Sequence, residues 1–308
     1  MNDRRQRCFG ILALLLAAVV WGVSFSAQRR GLEVLGPAVF NALRSLIGAV
    51  ALLPVIAAAD RLDGRPFSFF GAAASRNDRR ALLAGSSLCG IALTVATLLQ
   101  QWGLTTTGAG KAGFLSSLYL VLVPLFGIPF GRKNTLLQYF AVLAGLAGML
   151  MLCAPSPSEF SLRAGDWFLI GCAAGYAVHI VTASFFAPRC DCLRMACLQF
   201  LAAACFSMLF SLAIGEGCSP AAIRRAAGPL LFCGVCSSGI GFTMQLVGQK
   251  YVHPTAASLL MSLESVFAAV GGRLLLDEHM TPLELAGCTV IFFAAMLAQF
   301  TPPHREPR

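Results

Sequence analysis

The chain has 308 residues, of which 57% are apolar and only 12% are charged. A soluble domain carries about a quarter of its residues as Asp, Glu, Lys or Arg, so this composition excludes an ordinary soluble protein. A mean hydropathy of +0.75 also excludes intrinsic disorder, which requires low hydrophobicity. We therefore expect lipid to surround most of the surface, and the net charge of +9 to set membrane orientation rather than to bind nucleic acid.

Ten apolar runs recur along the chain, each near the length of about twenty residues that a helix needs to cross a bilayer. They cover 8–27, 36–59, 81–99, 112–130, 135–154, 167–187, 193–214, 226–247, 255–276 and 282–300. Turn residues separate the runs, and no separator is long enough to form a domain. Because backbone groups in hydrocarbon must bond within the segment, the runs predict an all-α integral membrane protein with ten transmembrane helices.

Basic residues are distributed unevenly when the loops are assigned to alternate sides of the membrane. Fifteen fall on the side of the N-terminus and seven on the other side, and only Arg44 lies within a span away from its ends. Cytoplasmic loops collect Lys and Arg, so both termini are expected in the cytoplasm. We expect a multi-pass protein of the cytoplasmic (inner) membrane of a bacterium.

The second five spans repeat the first five. At an offset of 145, residues 100–127 match 245–272 at eight positions, and at an offset of 155 the first two spans align with the sixth and seventh. Because five is odd, the two halves must cross the membrane in opposite senses. Inverted repeats of this kind are typical of secondary transporters, whose binding site lies near the midplane. The predicted repeats cover 8–154 and 163–300.

Two charged residues are predicted at depth in the bilayer: Glu264 in span nine and Arg44 in span two. A charge at the bilayer centre costs about 2.5 to 3.5 kcal/mol on insertion scales, so both are functional candidates. Glu264 could carry a proton, neutralise a substrate cation, or form a structural ion pair or a protonated packing contact. Arg44 could bind a carboxylate or phosphate of a substrate, pair with Glu264, or cap a broken helix.

The repeat adds further candidates for substrate binding at equivalent depths in the two halves. The equivalent pairs are Tyr119 and Glu264, Gln199 and Arg44, His179 and Ser24, and Tyr176 and Trp21. His179 could relay protons or be a hydrogen-bonded packing residue. The aromatic residues could stack on a substrate or belong to the core or lipid face. Gln100 and Gln245, near the ends of spans three and eight, could contact substrate or join helices.

Helix-breaking residues occur in corresponding spans. Span four contains Pro124 and Pro129. Its counterpart, span nine, contains Gly271 and Gly272. Interrupted helices in corresponding positions of two halves indicate a transporter site, so we expect both spans to be interrupted beyond the level of Glu264. Pro and Gly are also simply frequent in membrane helices, which is the alternative.

Two stretches of the chain resemble a known family. Residues Gln249 to Phe267, followed by Leu276 to Pro282, resemble the end of an EamA domain, and Ala18 to Phe25 with the later Arg44 resembles the start of its first copy. That domain defines many members of the drug/metabolite transporter superfamily. The resemblance implies a ten-helix carrier that moves a small metabolite by alternating access, often exporting amino acids or related compounds, with spans three, four, eight and nine along the path. Ser265 departs from the pattern, which usually has Pro there.

The predicted function is secondary transport of a small-molecule substrate across the lipid bilayer, with protons as a candidate coupling ion. The chain has no Gly-x-x-x-x-Gly-Lys-Ser/Thr loop, so ATP-driven transport is not expected. The alternatives are an intramembrane lipid-modifying enzyme, which lacks a recognisable catalytic motif here, and a passive channel, which would need a consistently polar span. The twelve cysteines show no metal-ligand spacing with His, so neither a metal nor another cofactor is expected. Monomer and homodimer both remain open.

Overall fold

The computed structural model of the protein describes residues 3–71, 75–107, 109–153, 163–276 and 280–300. Within these ranges every regular element is a helix. Nine of the described helices are long and apolar enough to cross a membrane, and Pro254–Val270 forms a shorter apolar helix. The predicted all-α fold of ten membrane helices is therefore confirmed.

The first half contains five spans, the fourth of which is broken into two helices. Its elements are α1 (Asp3–Leu32), α2 (Pro37–Leu62), α3 (Arg76–Thr106), α4 (Ala109–Ser117), α5 (Tyr119–Gly127) and α6 (Leu136–Cys153). Several helices extend beyond the apolar runs, because helical hydrogen bonding continues past the hydrocarbon. For example, α3 begins outside its apolar run, where the Ser75 hydroxyl accepts from the Asp78 N–H at 3.0 Å in a capping box.

The second half repeats this order, with the eighth and ninth spans divided. Its elements are α7 (Ala164–Phe186), α8 (Cys192–Ala213), α9 (Pro220–Arg225), α10 (Ala227–Leu231), a π-helix (Phe232–Phe242), α11 (Thr243–Gln249), α12 (Pro254–Met261), α13 (Glu264–Leu276) and α14 (Pro282–Leu297). Large apolar side chains such as Leu12, Phe140, Leu209 and Phe293 are exposed around the bundle. Such a surface suits lipid rather than water.

The packing of the two halves follows their repeat. Helix α2 packs against α8 and α6 against α14, while α1 contacts spans eight and nine and α7 contacts spans three and four. Close contacts between individual residues also occur at equivalent positions in the two halves. A methyl group added at Gly90 would lie 2.9 Å from the Gln199 carbonyl oxygen, and one added at Gly234 would lie 3.1 Å from the Arg44 carbonyl oxygen. Residues 199 and 44 are separated by the offset of 155, so the two close approaches are equivalent.

Span eight contains the largest departure from this symmetry. Gly90 and Gln100 are 10 residues apart, whereas their counterparts Gly234 and Gln245 are 11 residues apart. The π-helix Phe232–Phe242 covers most of this longer segment. A helix whose two ends are fixed accommodates an extra residue by widening its turns, and short π-helical segments occur frequently at functional sites.

The breaks in spans four and nine lie at equivalent positions. Span four breaks at Leu118 and span nine at Ser262 and Leu263. The N–H of Leu118 donates to the carbonyl three residues back at 3.4 Å, and that of Leu263 does the same at 3.3 Å. Beside each break, a serine hydroxyl bonds back to its own helix. Ser117, directly before the first break, donates to the Gly113 carbonyl at 2.7 Å, and Ser262, within the second break, donates to the Leu259 carbonyl at 2.9 Å. Such back-bonding competes with helical hydrogen bonds and bends helices.

The expected interruption beyond Glu264 is therefore wrong. Pro124 lies inside α5, and Gly271 and Gly272 lie within the unbroken helix α13. The breaks lie instead directly before Tyr119 and Glu264, which begin α5 and α13. The α-helical hydrogen bonding is thus interrupted at short stretches of 3₁₀ geometry beside serines, and not at the prolines or glycines that the sequence suggested.

Candidate functional site

A cavity lies in the middle of the bundle, at the level of the two breaks. It contains about 510 Å³ of space that protein atoms do not fill, its mouth included. Both halves contribute to its wall. The lining residues are Trp21, Ser24, Phe25, Gln28, Arg44, Gln100, Ser116, Tyr119, Tyr176, Ile180, Ser237, Phe242, Gln245, Met261 and Glu264. The wall is therefore largely aromatic and amide-bearing, with one basic and one acidic side chain.

The structure brings eight of the ten predicted site residues to this wall. They are Glu264, Tyr119, Arg44, Trp21, Tyr176, Gln100, Gln245 and Ser24. His179 and Gln199 lie outside the lining, where the His179 Nε2 and Gln199 Oε1 atoms are 3.1 Å apart and both side chains are buried. The ring of Phe242, which lines the cavity, lies edge-on to His179 at 5.8 Å between centroids. Of the two roles that the sequence left open for His179, this geometry corresponds to the hydrogen-bonded packing residue.

Sequence reasoning missed several lining residues, although helical spacing could have found some of them. Gln28 follows Trp21 and Ser24 on one face of α1, because residues three and four apart are neighbours on a helix surface. Met261 precedes Glu264 by three residues across the break. Ser237 is different, because the π-helix that presents it leaves no simple period in the sequence.

Arg44 is held by neutral side chains. Its side chain is 3% exposed, its Nη1 atom donates to Gln28 Oε1 at 2.8 Å, and its Nε atom donates to Ser238 Oγ at 3.4 Å. Among the residues that the structure describes, no carboxylate oxygen lies within 4.0 Å of the guanidinium. The ion pair between Arg44 and Glu264, one of the structural alternatives, is thus not formed in the described part of the chain.

Glu264 is the first residue of α13 and is 8% exposed. A carboxylate at this position is favoured by the helix dipole. The Tyr119 hydroxyl lies near the Glu264 carboxyl, although no hydrogen bond of normal geometry joins the two groups. Helix α1 approaches closely at this level, since a methyl group added at Gly22 would lie 2.7 Å from the Glu264 carbonyl oxygen.

The aromatic side chains of the wall have defined contacts. The Trp21 Nε1–H donates to the Ser237 carbonyl at 3.1 Å, and the Trp21 and Phe242 ring centroids are 4.7 Å apart. Tyr119 and Tyr176 pack edge to face at 6.3 Å, and the Tyr176 hydroxyl donates to Gln100 Oε1 at 3.0 Å. These rings are therefore fixed in the wall by hydrogen bonds and ring contacts.

Polar contacts join the two halves at one end of the bundle, where α2 and α5 end and α8 and α12 begin. We call this the basic end, because Arg61, Arg132, Lys133 and Arg189 lie there. The Thr255 hydroxyl donates to Asn134 Oδ1 at 2.5 Å. From the middle of the bundle the cavity extends towards the opposite end, as the positions of Gln28 and Arg44 in their helices show.

Fold and cavity together define a multi-pass membrane protein of the transporter class. The sequence profile of the EamA-like transporter family matches residues 8–154 and 163–300, which is most of the chain. The chain therefore belongs to the EamA-like transporter family. The drug/metabolite transporter superfamily, expected from the sequence, is consistent with this membership.

Three relatives match this chain along nearly its whole length, and two of them are transporters by name. An uncharacterized transporter of Archaeoglobus fulgidus is 24% identical over 297 residues, which cover 95% of this chain and 86% of the relative. The uncharacterized transporter YoaV of Bacillus subtilis is 21% identical, with 96% of this chain and 98% of the relative covered. The WAT1-related protein At3g02690, chloroplastic, of Arabidopsis thaliana is 25% identical, with 91% and 67% covered.

One solved structure shares the fold, with a TM-score of 0.73 and 19% identity over 94% of this chain and 96% of the other. Membership of the EamA-like transporter family, rather than this likeness of fold, implies a membrane transporter with a small-molecule substrate.

Proposed function

We propose that the protein is a secondary transporter that moves a small metabolite across the cytoplasmic membrane of a bacterium by alternating access. The two repeats, 8–154 and 163–300, would be its two halves, and both termini would be cytoplasmic. One observation carries the proposal: the cavity between the halves lies where spans four and nine both break, and it holds two buried charges of opposite sign. A midplane site at broken helices of two inverted halves is the arrangement of secondary transporters.

The cavity wall suggests the chemistry of the cargo. Arg44 offers a guanidinium to a carboxylate or phosphate, and Glu264 offers a carboxyl to an ammonium group. The rings of Trp21, Tyr119 and Tyr176 offer apolar surface to the rest of the molecule. These walls suit a polar metabolite with an apolar or aromatic body, such as an amino acid or a related compound, and we propose export as the direction.

The ten predicted residues have different parts in this proposal. The eight that line the cavity contact the cargo. His179 and Gln199 support the wall from behind Phe242. Both halves of this chain supply lining residues, so the proposed site lies within the chain whether the protein is a monomer or a homodimer.

The contacts at the basic end favour alternating access over a passive channel. A channel needs a continuous polar path, whereas the bond between Thr255 and Asn134 joins the halves on one side of the cavity. In the proposed cycle the bond between Thr255 and Asn134 breaks when the cavity opens to the basic end.

Proton coupling through Glu264 gives the most direct experimental test of the proposed function. A carboxyl at this depth can alternate between a proton and the cationic group of the cargo, since either one neutralises it. Uptake of radiolabelled amino acids into proteoliposomes would be measured with and without a pH gradient. We expect the gradient to drive uptake by the wild type and to lose its effect in Glu264→Gln.

Glu33→Gln is the matched control, because Glu33 is exposed at the end of α1. It should retain the gradient dependence of the wild type. Uptake by the wild type that ignores the pH gradient would contradict proton coupling. Absence of uptake for every amino acid, in protein that remains folded, would contradict the proposed cargo.

A further inference from the structure

The hydrogen bonds around Arg44 fix the orientation of two glutamine amides. Arg44 can only donate, so the side chain of Gln28 must present its oxygen to the guanidinium. The same oxygen accepts from Gln101 Nε2 at 2.6 Å, so Gln101 must present its nitrogen. Gln28 Oε1 therefore receives two donors, at 2.8 and 2.6 Å, and is held firmly between α2 and α3.

A second buried arginine shows how this chain treats a guanidinium with a structural role. Arg194 binds two carboxylates, Asp60 at 2.5 Å and Asp191 at 2.6 Å. Arg44 is equally buried but has only neutral partners within the described part of the chain. Its Nη2 atom makes no hydrogen bond to any residue that the structure describes. The contrast indicates that the charge of Arg44 is left for a group that enters the cavity.

We propose that Gln28 is a positioning residue of the substrate site, which holds the Arg44 guanidinium through a neutral oxygen so that its charge binds an oxyanion of the cargo. The proposal rests on the proposed function, because it assumes that cargo enters this cavity. Gln28 accepts from the Nη1 atom of Arg44 and Ser238 accepts from its Nε atom, and the remaining N–H groups of the guanidinium are available to a carboxylate or phosphate. A glutamate at position 28 would have nearly the same shape but would neutralise the guanidinium itself.

A double-mutant cycle tests the contact without any ligand. Gln28→Glu places a carboxylate against Arg44, so its thermal midpoint (Tm) should stay near that of the wild type. In an Arg44→Gln background the same carboxylate is buried without a cation, and Tm should fall by several degrees more than the single changes predict. Additive changes in Tm would overturn the proposal, whether or not the protein transports amino acids.

A selectivity measurement tests the role in binding. The probes are L-phenylalanine and L-leucine, each compared with its carboxamide, with affinity measured by the ligand-induced increase in Tm. The wild type should bind the acids more tightly than the amides. Gln28→Glu should weaken the acids by about tenfold, the size of one lost charge-assisted hydrogen bond, and leave the amides unchanged.

Gln100→Glu is the matched control, because it adds the same charge to the wall beside Tyr176 instead of Arg44. It should reduce the preference for acids less than Gln28→Glu does. Equal losses in the two variants, or an unchanged preference in Gln28→Glu, would overturn the positioning role while leaving the proposed transport intact. A wild type that binds acid and amide equally would overturn the assignment of an oxyanion to Arg44.

Discussion

Breaking the ion pair between Asp60 and Arg194 should destabilise the protein strongly. The Arg194 Nη2 and Asp60 Oδ1 atoms are 2.5 Å apart, and the two side chains are only 3% and 2% exposed. The pair also organises the loop after α2, since Ser68 N–H donates to Asp60 Oδ2 at 3.2 Å and the Ser68 carbonyl accepts from Arg194 Nε at 3.0 Å. It links a helix of the first half to a helix of the second half at the basic end.

The expected magnitude follows from burial. Removing one partner of a buried ion pair costs about 3 to 5 kcal/mol, because the other charge is left uncompensated. Asp60→Asn keeps the shape of the side chain and removes only its charge. Arg194 retains a second carboxylate, Asp191, whose side chain is 38% exposed. We therefore expect a loss at the low end of that range, about 3 kcal/mol.

A surface ion pair serves as the control for this prediction, and two buried cysteines report the unfolding of the protein. Asp63 pairs with Arg65 at the surface, where the side chains are 57% and 39% exposed, so Asp63→Asn should cost about 0 to 1 kcal/mol. Unfolding in detergent can be followed with a thiol-reactive fluorophore, because Cys89 and Cys197 are buried until the protein unfolds. Equal decreases in Tm for the two variants would refute the assignment of the buried pair as a main stabilising contact.

Two further substitutions test helix packing and helix capping in the same assay. Gly287→Ala should lower the stability by about 1 to 3 kcal/mol through overpacking, because its methyl group would lie 2.7 Å from the Gly148 carbonyl oxygen. Gly217→Ala is the control, because no atom lies within 4 Å of its added methyl group, and it should leave the stability nearly unchanged. Glu216→Ala should cost about 0.5 to 2 kcal/mol, because the Glu216 carboxylate accepts from the Val39 N–H at 2.6 Å at the start of α2. Unchanged Tm in Gly287→Ala or in Glu216→Ala would contradict the corresponding contact.

The spans and the two deep charges could be predicted because the bilayer constrains them strongly. Apolar length alone located the ten helices, and the scarcity of charge made Arg44 and Glu264 visible. The repeat then pointed to Tyr119 and Tyr176, which the structure places on the cavity wall. These inferences needed only composition, length and depth.

The position of the helix breaks could not be predicted in this way. Proline and glycine suggested breaks beyond Glu264, whereas the breaks lie at Leu118 and at Ser262 and Leu263, where Ser117 and Ser262 bond back to their own helices. Serine is common in the chain, and only the three-dimensional geometry shows which hydroxyls bond in this way. Helical spacing could have placed Gln28 on the face of Trp21 and Ser24, but its contact with Arg44 joins two different helices and becomes visible only in the structure.

The π-helix shows why an alignment alone was insufficient for span eight. At a constant offset of 145, Gly234 aligns with Cys89, yet the packing makes Gly90 its equivalent. The extra residue lies between this glycine and Gln245. It becomes apparent only when the close contacts with Gln199 and Arg44 are compared.

The same comparison of the two halves indicates which helices stay together in the proposed cycle. At the basic end, Arg194 binds Asp60, and at the opposite end the backbone N–H of Val39 binds Glu216. Val39 is the repeat equivalent of Arg194, and Glu216 follows Gly215, the equivalent of Asp60. Helices α2 and α8 are thus joined at both ends by related contacts.

A pair of helices that is joined at both ends cannot open the cavity alternately to the two sides by separating. In the proposed cycle, the movement would then come from the other spans that line the cavity. Spans four and nine are suited to it, because each is already divided where it meets the cavity, at Leu118 and at Ser262 and Leu263. Bending there would displace Tyr119 and Glu264 together with the ends of the helices that they begin. The cargo site and the moving segments would then share the same residues, so that binding at Glu264 acts directly on the helices that open the cavity.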